Sequence, residues 1–445
     1  MGRAKKVKDE EKPQKKVVKI KKEEAPSQFD EMNKFIMKNT DVDATSLKEG
    51  GQIAYWIDTG SYALNWIIGN DFFKGVPGAR IIVISGETGK GKSLLTDVLL
   101  GRNVQMGGAS YKVAIESAAN FEFSSQIVGG EDIAEKIQII KPKTPVGKEK
   151  VQPITIEKIM AILNRALDFQ VSKKKDMNPS VLFVIDSVTQ LSSDKELENV
   201  DKVMSGKEVK KDMTSAPKMR ETLRTIEQKL EFGNVTVIGI GQLTANITSG
   251  WTPPGTAKTV VNVKGSGFHY ASSLTINMIS DKEIVDAKSK TPIGIKMRMK
   301  TTKNRIKYRG RDCWIYFYFN RGIDPLGGLP ELLARYGIVS AFELEEKENK
   351  KTGEIEEKRK KLEQSSTGEF KKAPTFAFEK DDGTEVIFTK STFKKVIEEN
   401  GGDEFLKLLN TKLNEKYEHI LQAEGITEAD LLESDDPDDE GEDDE

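Results

Sequence analysis

The sequence predicts an α/β fold: a mostly parallel, doubly wound sheet followed by a small α+β domain. Three observations predict it. Ile81–Ile84 and Val181–Ile185 are unbroken apolar runs, the mark of strands buried on both faces. Helical stripes separate such runs, as at Ile159, Ile162, Leu163, Ala166 and Leu167. Polar residues, Glu116, Asp186 and Gln242, end three of the strands, at the carboxyl edge where open α/β sheets bind ligands.

The elements follow in order. Residues 1–24 hold ten Lys/Arg against five Asp/Glu, so 1–28 reads as a solvated, disordered basic arm. Residues 29–80 read as a short N-terminal segment. It has a helical pattern over Phe29–Lys48, an extended Tyr55–Asp58, a turn at Thr59-Gly60-Ser61 and a helix Tyr62–Ile68 stopped by Gly69-Asn70. The core, 81–342, starts with Ile81–Ile84, a Gly-rich turn and a helix Ser93–Met106. Strands Tyr111–Ile115 and Ile137–Ile140, a helix Ile156–Phe169 and strand Val181–Ile185 come next. A helix over 217–231 and a strand Val235–Ile240 complete the parallel part.

Beyond Asn262, the alternation at Ile295, Met297 and Met299 and the aromatic run Trp314–Phe319 predict antiparallel strands. Residues 343–372 are dense in charge and read as an exposed hairpin or loose insertion. A small C-terminal domain, 373–432, holds a strand Glu385–Phe388 and helices Phe393–Glu399 and Asp403–Leu413. Residues 433–445 carry ten Asp/Glu and no base, a disordered acidic tail.

Composition narrows the function classes. The chain has 445 residues and a formal charge of −2, a near balance that hides a net +5 over residues 1–24 and a net −10 over 433–445. One cysteine, Cys313, excludes an intramolecular disulfide framework and a Cys-rich metal site, and fits a reducing, cytoplasmic compartment. With only His269 and His419, a two-His zinc site has no support. No stretch reads as a membrane span: the longest uncharged one, Phe232–Ala257, contains Asn234, Gln242, Pro253 and Pro254. The basic start is not followed by a signal-peptide core.

The chemistry is carried by Gly86-Glu87-Thr88-Gly89-Lys90-Gly91-Lys92-Ser93, which matches G-x-x-x-x-G-K-[ST] at every fixed position. It follows a buried strand and opens a helix, the context the motif needs. Its glycines let backbone N–H groups curl round phosphates, Lys92 bridges the outer phosphates, and the Ser93 hydroxyl is a Mg²⁺ ligand. Asp186, ending the most apolar strand, can hold the Mg²⁺ through water, although a helix-capping Asp is the bland alternative. Glu116 can orient a water for attack on the γ-phosphate, or be a surface carboxylate after a strand. Gln242 can sense the γ-phosphate, or be a mere strand-end amide.

These residues carry a resemblance. Ile57-Asp58-Thr59-Gly60-Ser61-Tyr62-Ala63-Leu64-Asn65 resembles the segment preceding the phosphate loop in RecA-type recombinases. Glu116, Asp186-Ser187, Gln242 and Lys303-Asn304-Arg305 follow in that family's order. Within the family, Lys211-Asp212-Met213-Thr214 with Lys218-Met219, and Gly322-Ile323-Asp324-Pro325 with Gly328-Leu329, look most like the T-even phage recombinases. The resemblance covers about residues 30–345 well.

The resemblance implies a RecA-like ATPase core behind an N-terminal oligomerisation segment. ATP and Mg²⁺ would bind at Gly86, Glu87, Thr88, Gly89, Lys90, Gly91, Lys92, Ser93 and Asp186, with Phe123 and Phe319 near the adenine; core aromatics are the alternative for both. Glu116 would activate the water, and Gln242 would couple the γ-phosphate to the following loop. Lys303 and Arg305 would reach the ATP of a neighbouring subunit, like arginine fingers in trans. DNA would lie on loops at about 192–216 and 243–266, touching Lys218, Arg220, Ile247, Trp251, Lys258 and Lys264. Trp251 and Pro253-Pro254 have no family counterpart, and His269 matches no family role.

The implied function is a DNA-dependent ATPase that forms helical filaments on single-stranded DNA and pairs it with homologous duplex. Its partners would be both DNAs, further copies of itself, loader or mediator proteins and single-strand-binding proteins, with no membrane. If phage-encoded, its compartment would be the host bacterial cytoplasm. The alternatives are a ring-forming RecA-fold helicase or motor, and an ATP-gated regulatory binding module. A small-molecule kinase fits least, since nothing after Asp186 reads as a substrate lid.

Overall fold

A computed structural model describes residues 32, 35–38, 52–115, 120–143, 151–172, 179–205, 215–245, 259–261, 267–348 and 355–422. The basic arm, most of Phe29–Lys48 and the acidic tail lie outside them. The chain divides into two compact units, 1–52 and 53–445. In the first, the described residues include Phe35 and Ile36, in helical conformation and exposed.

The second unit opens with β1 (Trp56–Ile57), paired antiparallel with β2 (Val76–Pro77). Between them, Ser61 caps the helix Tyr62–Gly69, its Oγ accepting from the Leu64 backbone N–H at 3.4 Å. That helix is apolar on nearly every side, and every residue from Ala63 to Gly69 is buried. The turn before it is locked by polar contacts: Thr59 Oγ1 donates to Asn65 Oδ1 at 2.6 Å, and Asn65 Nδ2 donates to Asp58 Oδ1 at 2.8 Å. Residue 80 is therefore not the end of a separate segment. Ile57, Leu64, Trp66 and Ile67 belong to the main core, because an all-apolar helix is stable only when surrounded.

Among the described residues the main sheet has ten strands. In chain order they are β3 (Ile81–Gly86), β4 (Ala109–Ala114), β5 (Ile137–Ile140), β6 (Val181–Asp186), β7 (Val235–Ala245), β8 (Thr259–Val261), β9 (Leu274–Val285), β10 (Pro292–Asn304), β11 (Asp312–Tyr318) and β12 (Gly322–Asp324). The spatial order is β12-β11-β10-β9-β3-β7-β6-β4-β5, with β8 paired to the end of β7. From β9 to β5 the neighbours run parallel; from β9 through β10 and β11 to β12 each neighbouring pair is antiparallel.

Side-chain alternation explains the layers. Ile82, Ile84, Leu182, Val184, Ile238 and Ile240 point to one face, against Leu95 and Leu99 of the helix Lys92–Gln105. Ile81, Val83, Phe183, Ile185 and Val237 point to the other, against Leu163 and Leu167 of the helix Ile156–Val171 and Leu223, Ile226 and Leu230 of the helix Ser215–Gly233. All six residues of β3 and of β6 are buried. This is the doubly wound α/β fold the pattern predicts, with elements shifted by a few residues.

Of the two forms expected for the charged stretch after residue 342, an exposed hairpin or a loose insertion, the structure has the hairpin. β13 (Ser340–Glu348) and β14 (Ile355–Lys361) form an antiparallel hairpin, and β13 also pairs with β15 (Thr375–Glu379), which pairs with β16 (Glu385–Phe388). One four-stranded sheet thus crosses the expected boundary at 372. Cross-strand ion pairs hold the charged strand: Lys360 Nζ lies 2.8 Å from Glu345 Oε1, and Arg359 Nη1 2.6 Å from Glu385 Oε1. The last helix runs Asp403–Gln422, beyond the expected end at Leu413.

Candidate functional site

The loop Gly86–Ser93 joins the buried β3 to the helix beginning at Lys92. Gly89 and Gly91 have φ of +80° and +90°, which side chains disfavour, and a Cβ on Gly91 would come within 2.7 Å of Met297 Sδ. Lys92 is 7% exposed; its ammonium donates to the Gly86 carbonyl at 2.8 Å and the Glu87 carbonyl at 2.6 Å. Lys90 is tied to Asp281 of β9 at 2.5 Å, and this hydrogen bond raises its pKa.

The three strand-end residues behave differently. Asp186 ends β6 beside the loop, and its Oδ2 accepts from Ser93 Oγ at 2.7 Å. Gln242 lies level with Gly86 in the ladder between β7 and β3. Thr88, Gly89, Gly91, Lys92, Ser93, Asp186 and Gln242 line a cleft of about 300 Å³ with Leu94, Ser187 and Ile240. Glu116 lies outside the described residues, just past the end of β4.

The donor set fits phosphate and a magnesium ion. A buried ammonium and a helix N-terminus converge on one cleft, where a hydroxyl and a carboxylate offer hard oxygen ligands side by side. Among the described residues, no group of three or more His, Cys, Asp or Glu is placed to hold a metal ion. One carboxylate completed by substrate oxygens and water is the usual arrangement for Mg²⁺.

Behind Asp186 stands a pair that sequence reasoning missed. Lys112 of β4 lies 2.6 Å from Asp97 Oδ1 and 3.7 Å from Asp186 Oδ2. Burial raises the Asp97 carboxyl, with Lys112 pulling against it. The available signal was a lysine in the middle of an interior strand, where a charge must be paired.

Lys303 and Arg305 stand elsewhere. The ladders put Asn304 opposite Leu274 and Leu274 opposite Ile82, four residues before Gly86, roughly 13 Å along an extended strand. Lys303 Nζ donates to the His269 and Tyr270 carbonyls at 2.7 and 3.1 Å. Its pKa is lowered by burial, then by Arg305, with Glu227 opposing. Arg305 Nη1 lies 3.7 Å from Glu227 Oε1. Glu227 shares a second cleft, about 250 Å³, with Arg220, Arg224, Gly267, Tyr270 and Ala271. Arg220 is exposed and lies 5.2 Å over the Tyr270 ring. Arg224, one helical turn further on, was missed by the sequence reading.

The remaining expected residues are scattered. Phe123 and Phe319 pack half-buried against the main core, and neither lines the phosphate-loop cleft. Lys218 lies in the helix Ser215–Gly233, but its side chain is outside the described residues, as are Ile247, Trp251, Lys258 and Lys264. The ends of their loop pair with each other, Leu243 opposite Val261 and Ala245 opposite Thr259. No helix among the described residues is long and apolar enough to cross a membrane.

The family described as RecA N-terminal domain matches residues 36–324. The chain is 24% identical over 283 residues to Protein RecA of Thermus thermophilus, covering 64% of this chain and 72% of that one. It is 26% identical over 271 residues to Protein RecA of Mycoplasma mycoides, covering 60% and 67%, and 25% identical over 284 residues to Protein RecA of Chlamydia pneumoniae, covering 64% and 70%. The matched span ends at Asp324, where the last strand of the main sheet ends, and it holds the phosphate loop, Asp186, Gln242 and Lys303-Asn304-Arg305 together. The chain belongs to the RecA family.

Proposed function

We propose that the protein is an ATP-dependent DNA recombinase. It forms helical filaments on single-stranded DNA, pairs that strand with homologous duplex and promotes exchange in recombination, repair and recombination-dependent replication. ATP is hydrolysed to ADP and phosphate, stimulated by DNA. The RecA family membership supports the class; the T-even phage likeness adds the replication-linked role.

One observation carries the reading. Lys303 and Arg305 lie at the opposite end of the strands from their own phosphate loop, roughly 13 Å away along β3, too far for either side chain to serve it. Cations so placed suit the nucleotide of an adjacent copy, which makes turnover depend on assembly.

In this reading Lys92 exchanges the Gly86 and Glu87 carbonyls for the outer phosphates. Ser93 and Asp186 would hold Mg²⁺, whose charge would neutralise that of the phosphate oxygens. Glu116 orients the water and accepts its proton. Gln242, level with Gly86, relays the γ-phosphate to the 243–266 loop. Phe123 and Phe319 are assigned to the adenine side. Arg220 and Lys218, joined now by Arg224, bind DNA phosphates, while Ile247 and Trp251 wedge between bases and Lys258 and Lys264 add phosphate contacts. Loader or mediator proteins and single-strand-binding proteins complete the expected partners.

The test is ATP turnover with and without single-stranded DNA, read beside negative-stain images with an ATP analogue. Stimulation by DNA together with helical filaments is expected. Rings would favour the motor reading, and DNA-independent turnover without assembly the regulatory one. Loss of turnover in Lys92→Ala checks the nucleotide site itself.

A further inference from the structure

Arg311 is a buried guanidinium, 5% exposed, with no carboxylate in salt-bridge range among the described residues. Such a charge costs several kcal/mol unless its surroundings compensate. Here they are carbonyls, an amide and rings. Nη2 donates to the Ile67 carbonyl at 2.8 Å and Nη1 to Asn70 Oδ1. The guanidinium carbon lies 4.7 Å over Trp66, 5.3 Å over Tyr417 and 5.8 Å over Tyr308. Nε is buried and has no hydrogen-bond partner among the described residues.

The cage closes on the turn that carries Lys303 and Arg305. The helix Tyr62–Gly69 ends in a left-handed Asn70, and its last carbonyls form the socket. Ile67 O takes Arg311, and Ile68 O takes Asn304 Nδ2 at 3.0 Å. Asn304 Oδ1 in turn accepts from the Ile306 and Lys307 backbone N–H groups, at 3.0 and 3.1 Å, fixing the backbone round Arg305. Arg311 O accepts from the Thr301 N–H at 2.9 Å, closing the base of the same hairpin. From outside, the C-terminal helix seals the cage: Trp66 Nε1 donates to Asn414 Oδ1 at 2.8 Å, and Asn414 Nδ2 donates to the Asn70 carbonyl at 2.9 Å.

We infer that Arg311 is a positioning residue for the shared ATP site. It pins the Lys303–Arg305 turn to the N-terminal helix and to Tyr417 of the C-terminal helix, so that both cations are presented to a neighbour in one geometry. The inference rests on the trans-acting role proposed above for Lys303 and Arg305. It makes the C-terminal helix part of the face that donates those cations.

The experiment is complementation between defective subunits. Arg311→Met keeps the volume and removes the cation. It should lower DNA-stimulated turnover about 10- to 100-fold, the scale set by misplacing a catalytic group by about 1 Å. Nucleotide binding to the isolated subunit should be unchanged. Mixed with Lys92→Ala, which keeps an intact donor face, Arg311→Met should regain activity. Mixed with Arg305→Ala, which lacks the same face, it should regain none. A subunit merely unfolded offers no phosphate loop and is rescued by neither. Should Arg311→Met fail to fold, Tyr308→Leu, at a half-exposed ring of the turn, must show the same asymmetry. Wild-type turnover, rescue by both partners, or rescue of the folded variant by neither overturns the inference. The premise is tested apart from it: absence of rescue between Arg305→Ala and Lys92→Ala overturns the shared site, whereas rescue there without rescue of Arg311→Met removes only the positioning role.

Discussion

Ser93 Oγ donates to Asp186 Oδ2 at 2.7 Å, so a helix N-terminus and a strand C-terminus 93 residues apart meet at one carboxylate oxygen. The Asp186 side chain is 10% exposed and Lys112 stands 3.7 Å from the same oxygen. Asp186→Asn keeps the shape and removes the charge that would face the metal ion. Turnover at saturating ATP should fall about 10²-fold or more, about 2.7 kcal/mol of lost stabilisation. Wild-type turnover with an unchanged magnesium requirement would remove Asp186 from the site.

Glu116→Gln should keep ATP and DNA binding but stop hydrolysis, because an amide can position a water yet cannot take its proton. Long-lived filaments, followed by light scattering after dilution, are the expected result. Disassembly at the wild-type rate would show that another group orients the water.

Lys112 and Asp97 make a stability prediction. Both are nearly buried, at 12% and 11% side-chain exposure, and lie 2.6 Å apart. Lys112→Ala leaves two carboxylates, Asp97 and Asp186, facing one gap without a cation. Denaturant unfolding should show a loss of about 3–5 kcal/mol, whereas Lys112→Met with Asp97→Leu should recover much of it. A loss below 1 kcal/mol in the single variant would mean that the pair is solvated in solution.

How far the sequence could be read follows from the range of each contact. Gly86–Ser93 was legible because local pattern fixes it, a buried strand, a Gly-rich turn and a helix start within a dozen residues, and Asp186 because it ends an unbroken apolar strand. Lys112 and Asp97 were not, since their pairing depends on how a helix crosses a strand. Arg311 was further out of reach, as its cage brings Trp66 and Tyr417, from two distant helices, against Tyr308 of its own turn. For the charged strand β14 the sequence left hairpin and loose insertion both open, because its apolar signal is weak and its pairing rests partly on cross-strand ions. The tight turn at Thr59–Asn65 was noticed as a motif, but its burial within the core was not.

His269 makes the pH prediction. Its Nδ1 is buried without a hydrogen-bond partner, and burial, then Lys303, holds its pKa below the ordinary 6.5. The unfolded chain therefore takes up this proton more readily than the folded one. The stability this group contributes is full above pH 6.5 and is lost as pH falls through the folded value. His269→Phe should flatten the urea-midpoint profile below pH 6.5 relative to wild type. Parallel profiles would assign the acid loss to other groups.

Arg305 and Glu227 make the final prediction. Their ion pair spans 3.7 Å with side chains 57% and 37% exposed, so it is worth only about 0–1 kcal/mol and can be released readily. Glu227 also lines the cleft of Arg220 and Arg224, where DNA phosphates are proposed to sit. A phosphate entering that cleft repels Glu227 and competes with its hold on Arg305. Glu227→Gln removes the tether without DNA. Turnover in the absence of DNA should therefore rise, by up to about fivefold for a contact of about 1 kcal/mol. Affinity for single strands should also increase at low salt, because one repelling charge leaves the cleft. The decisive ratio is turnover with DNA over turnover without it, which should fall toward one. An unchanged ratio, with both rates at wild-type level, would show that Glu227 does not link the DNA cleft to Arg305.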